Sequence, residues 1–384
     1  MPSSGRSGKK GRELSLFQID AGREWRGGQR QALFLARELA GKGFPFQLVV
    51  QPESPLHAKA SEAGLPVLPI TMNSELDLWA IHRLARAMRR ARCVLAHFHD
   101  AHGAALGSRA AARAHVPIRI ISRRVDFPVR SRHKYIKGID SVIAISEGVR
   151  QVLIKGGVPE RLIEVVPSGI DFAPFREVKE RDFLRKEFGF GPDDYLVGIV
   201  AQLEDHKGHR DLIEAAKILK DHAPRVRIVI VGEGSLRMPL DQQAHELRVE
   251  DVVYFLGFRE DIPRILASLD LFVLSSRMEG LGSSIMDAMA SRLPVVATQA
   301  GGIPEVVSHR ETGLLVPPQD PPALANAILK LYLDRALAAR LAQRGFEVVH
   351  EKFSAEAMAR KTIRIYERIA SEKGVRLGAQ NPHP

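Results

Sequence analysis

Two carboxylates eight positions apart, Glu279 and Asp287, flank a turn with glycine at 280 and 282 inside the segment 269–290, LDLFVLSSRMEGLGSSIMDAMA. The segment reads as an apolar strand, a turn and the start of a helix. At such a junction peptide N–H groups point outward at the positive end of the helix dipole, so anions bind there. Ionised carboxylates accept hydrogen bonds from sugar or ribose hydroxyls, and the backbone at Gly280, Leu281 and Gly282 lets a diphosphate approach closely. Together these features fit a sugar nucleotide. Ser284-Ile285-Met286-Asp287 also has the spacing of a capping box, in which Asp287 would serve the helix start. Glu279 precedes the helix, at the carboxyl end of a strand, where open α/β sheets bind ligands.

Other residues offer matching chemistry. Lys207-Gly208 follows an apolar strand, where an ammonium can neutralise a diphosphate leaving group and glycine admits the backbone. Gly232-Glu233-Gly234 also ends a strand but has Arg237 where a dinucleotide fingerprint needs its third glycine, so it is a weak nicotinamide signature. His97, His99, Asp100 and His102 invite a metal reading, yet the Asp directly follows the second His, unlike the binuclear hydrolase spacing, and no metal is expected. Gly27-Gly28 and Gly301-Gly302 each precede a helix, the latter with Pro304 suited to a first helical turn. Gly28 would let acceptor or phosphate approach, and Gly302 would present its amide to the donor.

The elements that must position these residues alternate. Strands are expected near 14–20, 47–50, 67–70, 93–98, 118–121, 141–145 and 163–166, then near 196–201, 227–231, 252–256, 271–274, 295–298 and 313–316. Helical patterns separate most of them, as in a doubly wound parallel sheet formed twice. The expected fold is α/β, with Rossmann-like domains at 12–175 and 176–354 facing a central cleft and a last helix at 355–372.

With these elements in place, the chain resembles the family 4 retaining glycosyltransferases of GT-B fold. Their Glu-x7-Glu signature matches Glu279 and Asp287, the latter replacing the second Glu, followed by Ala-Met-Ala at 288–290. Gly27-Gly28, 97–100, 168–171, Lys207-Gly208, 231–234, 301–305 and 312–316 match in order. The resemblance implies that His99 orients the donor sugar, Lys207 meets the diphosphate, Glu279 holds the sugar and Asp287 the ribose. Phe258 and Arg259 would line the base pocket beside the 232–234 turn. The family's Arg five residues before Lys207 is here Gln202, so one phosphate contact is weakened or supplied elsewhere, with Arg259 and His206 as candidates. The last helix would cross back onto the first domain. The implied donor is a sugar nucleotide, with no cofactor. With no Asp-x-Asp pair and no evident nucleophile in the first domain, front-side attack without a required cation is expected.

Composition bounds the setting. A chain of 384 residues with 45% hydrophobic content can bury two domains' cores, while the polar ends, 1–11 and 378–384, read as mobile tails. The single Cys93 allows no intramolecular disulfide. No run approaches the roughly 18 apolar residues that cross a bilayer, and the N-terminus lacks a secretory core, so a cytoplasmic location is expected. Residues 1–180 hold 29 Lys and Arg against 17 Asp and Glu, net +12, while the rest hold 27 against 28, net −1. Arg89 and Arg90, and then Arg123, Arg124, Arg130, Arg132 and Lys134, are interleaved with apolar residues, as on a face that takes an anionic lipid-linked or lipopolysaccharide acceptor, or a membrane surface. A sugar-nucleotide epimerase or hydrolase would use the same donor cleft. A nucleic-acid-binding protein would explain the basic half but lacks a reader motif and stacking aromatics.

Overall fold

The structure, a computed structural model, describes residues 15–178 and 180–378. Apart from Gly378, the two tails lie outside the described residues. The first sheet has seven parallel strands, β1 (Ser15–Ile19), β2 (Phe46–Val50), β3 (Val67–Pro69), β4 (Cys93–Phe98), β5 (Ile118–Arg123), β6 (Ser141–Ala144) and β7 (Ile163–Val165), in the order β3-β2-β1-β4-β5-β6-β7. The second has six, β8 (Tyr195–Val200), β9 (Val226–Val231), β10 (Val253–Gly257), β11 (Leu271–Leu274), β12 (Val295–Thr298) and β13 (Leu314–Val316), ordered β10-β9-β8-β11-β12-β13. Parallel strands need crossover connections, whose helices cover the sheet faces, so the strands read as near-continuous apolar runs. β11, Leu-Phe-Val-Leu, is buried at every position.

Strand order reverses beside the first strand of each sheet, between β1 and β4 and between β8 and β11. A crevice forms at the carboxyl ends of strands at such points. Gly28, His99, Gln202 and Glu279 all follow one of these four strands. One boundary differs from expectation. The helix after β1 starts at Gly27 rather than Gln31, because the Gln29 side chain accepts the Arg26 N–H at 3.2 Å and closes the first turn early. Gly27 and Gly28 are therefore its first two residues, not its preceding loop.

The chain leaves the first sheet and returns to it at one place. Ile170 donates to the Phe353 carbonyl at 2.8 Å and accepts from the Ala355 N–H at 2.9 Å. Gly169 is needed there, since a Cβ would lie 2.6 Å from the Ala355 Cα. Gln31 bonds both backbone groups of Gly169, at 2.7 and 2.8 Å. The returning helix, Ala355–Glu372, packs on the Gly27–Gly41 helix and buries Ala359, Ile363 and Tyr366 in the same core as Leu16, Leu33 and Leu95. Tyr366 Oη lies 2.5 Å from His97 Nδ1, and His97 Nε2 lies 2.8 Å from Ser122 Oγ. His97 is thus a core residue linking the returning helix to β4 and β5.

His209, in the first turn of the His209–His222 helix, is buried, and neither ring nitrogen has a hydrogen-bond partner among the described residues. Burial, with the charges of Lys207 and His206, lowers its pKa from 6.5 to about 4. The unfolded chain binds this proton below pH 6.5 and the folded chain does not, so stability is lost as pH falls from about 6.5 toward 4. His209→Leu removes two unpaired polar atoms and should stabilise the fold by about 1–3 kcal/mol. Thermal unfolding at pH 7.5 and pH 5 should show a higher Tm and a smaller acid loss in the variant.

Candidate active site

A cavity of about 430 Å³ lies between the two sheets, lined by Gly28, His99 and Arg124 from one side and Gln202, Lys207 and Glu279 from the other. At its centre Lys207 Nζ lies 2.6 Å from Glu279 Oε2, and both side chains are mostly buried. Their placement is dictated by backbone. Lys207 ends a short 3-10 turn, Asp205–Lys207, and Gly208 has φ +67°, with a Cβ there lying 2.0 Å from the Ser275 carbonyl. Only glycine suits that conformation and that approach. Ser275 Oγ donates to the Lys207 carbonyl at 3.1 Å, and the Arg277 N–H donates to the His206 carbonyl at 2.8 Å. These bonds stitch the turn after β8 to the turn after β11.

Gly301 and Gly302 buttress Glu279 from behind. The Gly302 N–H donates to the Glu279 carbonyl at 2.9 Å, and a Cβ on Gly301, at φ +53°, would lie 1.9 Å from that carbonyl oxygen. Gly302 therefore spends its amide on the turn and does not offer it to a ligand.

On the other wall His99 Nε2 lies 2.9 Å from Gln18 Oε1, and its Nδ1 faces Arg124 Nη2 at 3.4 Å. Burial holds its pKa well below the usual histidine range, helped by His97 and Arg124, so the ring is neutral. It donates to Gln18 and turns its lone pair to Arg124. Arg124 is itself pushed down to about 10 by burial, with Asp20 opposing the shift. Asp20 is raised to about 6, first by burial and then by the charge of Asp100.

The two lobes touch directly around this cavity. Ser146 Oγ donates to the Gly280 carbonyl at 2.7 Å, and a Cβ on Gly280 would lie 2.6 Å from the Arg124 carbonyl. Glu305 accepts from the Glu147 and Gly148 N–H groups at 2.8 and 2.9 Å, capping the Glu147–Lys155 helix across the cleft. Arg30 Nη1 meets Asp287 Oδ2 at 2.8 Å. Asp126, also on the cavity wall, has its pKa raised by burial and by Glu279, with Lys207 pulling the other way.

Several expected site residues stand elsewhere. The helix after the Glu279 turn starts at Ser283 with Gly282 as its cap, φ +87°, so Ser284 and Asp287 form no capping box. Asp287 is buried against Arg30 and does not line the cavity. Gly232 and Gly234 serve close packing, since Cβ atoms there would lie 2.0 Å from the Ala201 carbonyl and 2.5 Å from the Leu203 carbonyl. Arg259 is clamped by Glu187 at 2.6 Å and Asp261 at 2.8 Å, outside the cavity, and Phe258 is exposed. Arg123 is buried, bonded to Tyr135 Oη at 2.6 Å and to the Phe127 carbonyl, so it holds a loop instead of facing an acceptor. Arg89, Arg90, Arg130 and Arg132 are exposed away from the cavity, whereas Lys134 reaches its rim. Among the described residues no group of three or more His, Cys, Asp or Glu could hold a metal ion.

The sequence had not singled out Asp126, Arg30 or an exposed apolar cluster of Leu76, Leu78 and Trp79 at the start of the Leu78–Arg90 helix. The last had a legible signal, three large apolar side chains beside a basic helical stripe.

The family model described as Glycosyltransferase Family 4 matches residues 25–173, and that described as Glycosyl transferases group 1 matches residues 180–348. The chain belongs to the family 4 glycosyltransferases. This family 4 chain is 32% identical over 238 residues to the lipopolysaccharide core biosynthesis glycosyltransferase LpsE of Rhizobium meliloti, covering 62% of this chain and 66% of that protein. It is 30% identical over 234 residues to a GDP-mannose-dependent phosphatidylinositol monomannoside mannosyltransferase of Mycobacterium tuberculosis, covering 58% of this chain and 60% of that one. Against the first curated relatives the chain spans from 47% to 65% of their length. The crystal structure of Anabaena HepE in complex with UDP and glucose superposes with a TM-score of 0.83 at 22% identity, over 92% of this chain and 100% of that one. That likeness, with the two parallel-sheet lobes, makes the fold GT-B.

The Gly301 contact is open to a direct check. Gly301→Ala meets both a positive φ and a carbonyl at 1.9 Å, whereas Gly43→Ala, at φ +70°, meets nothing within 4 Å. Denaturant unfolding should show a loss of about 1–2 kcal/mol for Gly43→Ala and a clearly larger one for Gly301→Ala.

Proposed function

We propose that this protein is a retaining glycosyltransferase that moves a hexose or related sugar from a nucleoside diphosphate to a lipid-linked or lipopolysaccharide-type acceptor. The observation that carries this reading is the Lys207–Glu279 pair, 2.6 Å apart in a cavity between two nucleotide-fold lobes. An ammonium suits a departing diphosphate, and a carboxylate suits sugar hydroxyls. First turns of two helices also face each other, since a Cβ on Gly27 would lie 3.4 Å from Ser283 Oγ. Their N–H groups lack intrahelical partners and attract phosphate.

In the proposed step the bond from the anomeric carbon to the β-phosphate oxygen breaks. The acceptor hydroxyl oxygen bonds to the same face of that carbon, and its proton passes to the departing diphosphate. Neutral His99 orients the sugar, and Lys207 takes up negative charge on the leaving group without a divalent cation. Asp126 gives the alternative double displacement a first-domain carboxylate that the sequence did not reveal. Intact-protein mass spectrometry during turnover should find no glycosyl adduct; an adduct on Asp126 would favour that route instead.

The acceptor class is supported by the names of LpsE and the mycobacterial mannosyltransferase. It is also supported by Trp79, Leu76 and Leu78, exposed by 78, 70 and 68% beside the exposed Arg83, Arg86 and Arg90. Such a face suits peripheral contact with an anionic bilayer. Among the described residues no helix is long and apolar enough to cross one. A thermal-shift screen across nucleoside diphosphates and their sugars should identify the donor. With that donor, Lys207→Ala should lower kcat by about 10²–10³-fold, and EDTA should leave the wild-type rate unchanged. Full turnover in both Lys207→Ala and Glu279→Ala would overturn the site.

A further inference from the structure

We propose that Arg124, from the first lobe, is the second cation on the donor's diphosphate, taking the place left by uncharged Gln202 in the second. This rests on the sugar-nucleotide reading above. A bridging diphosphate brings negative charge on both phosphates, while Lys207 is already paired with Glu279.

The other cations of the cavity wall are committed. Arg26 is bound to Glu24, Lys134 to Glu75 at 3.5 Å, and Arg123 to Tyr135 and the Phe127 carbonyl. Among the described residues, Arg124 alone of the Lys and Arg residues of this wall has neither an ion pair nor a backbone or hydroxyl acceptor. Among the described residues its one hydrogen-bonding contact is His99 Nδ1 at 3.4 Å, and its Nε is buried without a partner. Setting a guanidinium in a cavity without a paired carboxylate costs free energy unless an anion arrives. Guanidinium geometry also matches phosphate oxygens in a bidentate fork.

Position agrees with charge. A Cβ on Gly28 would lie 3.5 Å from Arg124 Cδ, so the side chain runs along the first turn of the Gly27–Gly41 helix. The free amides of that turn and the guanidinium therefore face the same space. Asp20 is the nearby balancing charge, and its pKa near 6 leaves it only a weak competitor for Arg124 in mildly acidic solution. The acidic groups on the cavity wall itself are Asp100, Asp126 and Glu279. Arg124 thus acts on the donor side of the cleft, not on the acceptor side where the basic run in the sequence placed it.

The test is calorimetric binding of uridine, guanosine and adenosine diphosphates, with the matching nucleosides, to wild type, Arg124→Ala, Arg124→Lys and Arg124→Ala/Gln202→Arg. For whichever diphosphate binds, Arg124→Ala should weaken it by about 10–100-fold and leave the nucleoside unchanged. Arg124→Lys should keep most of the affinity, and Gln202→Arg should recover most of the loss in the double variant. Unchanged diphosphate binding in Arg124→Ala, or equal losses for diphosphate and nucleoside, would overturn the inference while sparing the sugar-nucleotide reading. Wild type that binds none of the three would overturn both.

Discussion

A lysine and a glutamate held 2.6 Å apart, mostly out of water, are the constraint on which the rest of this molecule depends. Left unsupported, such a pair loses more in desolvation than it gains in attraction. Here the support is backbone. Gly208 lets Lys207 turn against β11, the Ser275 hydroxyl and the Arg277 amide tie the two turns together, and Gly302 holds the Glu279 carbonyl. Each contact needs a strand end from the second sheet at a fixed height, which a parallel sheet provides. The first lobe then closes over the pair through Ser146, the Glu147 and Gly148 amides and Arg30.

Much of this was legible in the sequence. Apolar runs such as Val-Arg-Ile-Val-Ile-Val at 226–231 and Leu-Phe-Val-Leu at 271–274 declare buried parallel strands, and their order fixes which turns meet at the crevice. Lys207 and Glu279 could be chosen because each follows such a strand beside a glycine. What could not be read was pairing across the lobes. Nothing in local spacing says that Arg30 will face Asp287, 257 positions away, or that Asp126 will stand beside Glu279. Basic runs misled for the same reason. Arg123 and Arg124 are neighbours in sequence and both reach the cavity wall, yet Arg123 is bonded to Tyr135 and the Phe127 carbonyl while Arg124 is left without an anionic partner, because a strand ends between them. Glycines misled differently. Gly232, Gly234 and Gly302 looked like ligand contacts, but they serve approaches of one backbone to another.

The polarity of the two walls follows from burial. His97 and His99 have their ring centroids 4.2 Å apart with the planes tilted by 40°, and both are kept neutral in the core of the first lobe, so the positive charge on that wall belongs to arginine. A neutral imidazole can shift its hydrogen bond without a change of charge, which suits a group that orients a sugar. Acidic groups meanwhile come from both lobes, Asp126 from the first and Glu279 from the second, and burial raises the pKa of Asp126 as it does that of nearby Asp20. The closed cleft therefore combines cations suited to phosphate with carboxylates suited to hydroxyls, and neither lobe holds the whole set.

The most direct measurement is calorimetric binding of a nucleoside diphosphate and of its sugar conjugate to wild type and Glu279→Gln. If Glu279 grips the sugar while Lys207 meets the diphosphate, the variant should lose affinity for the conjugate and keep it for the bare diphosphate. Equal affinities for both ligands in the variant and in wild type would contradict that account.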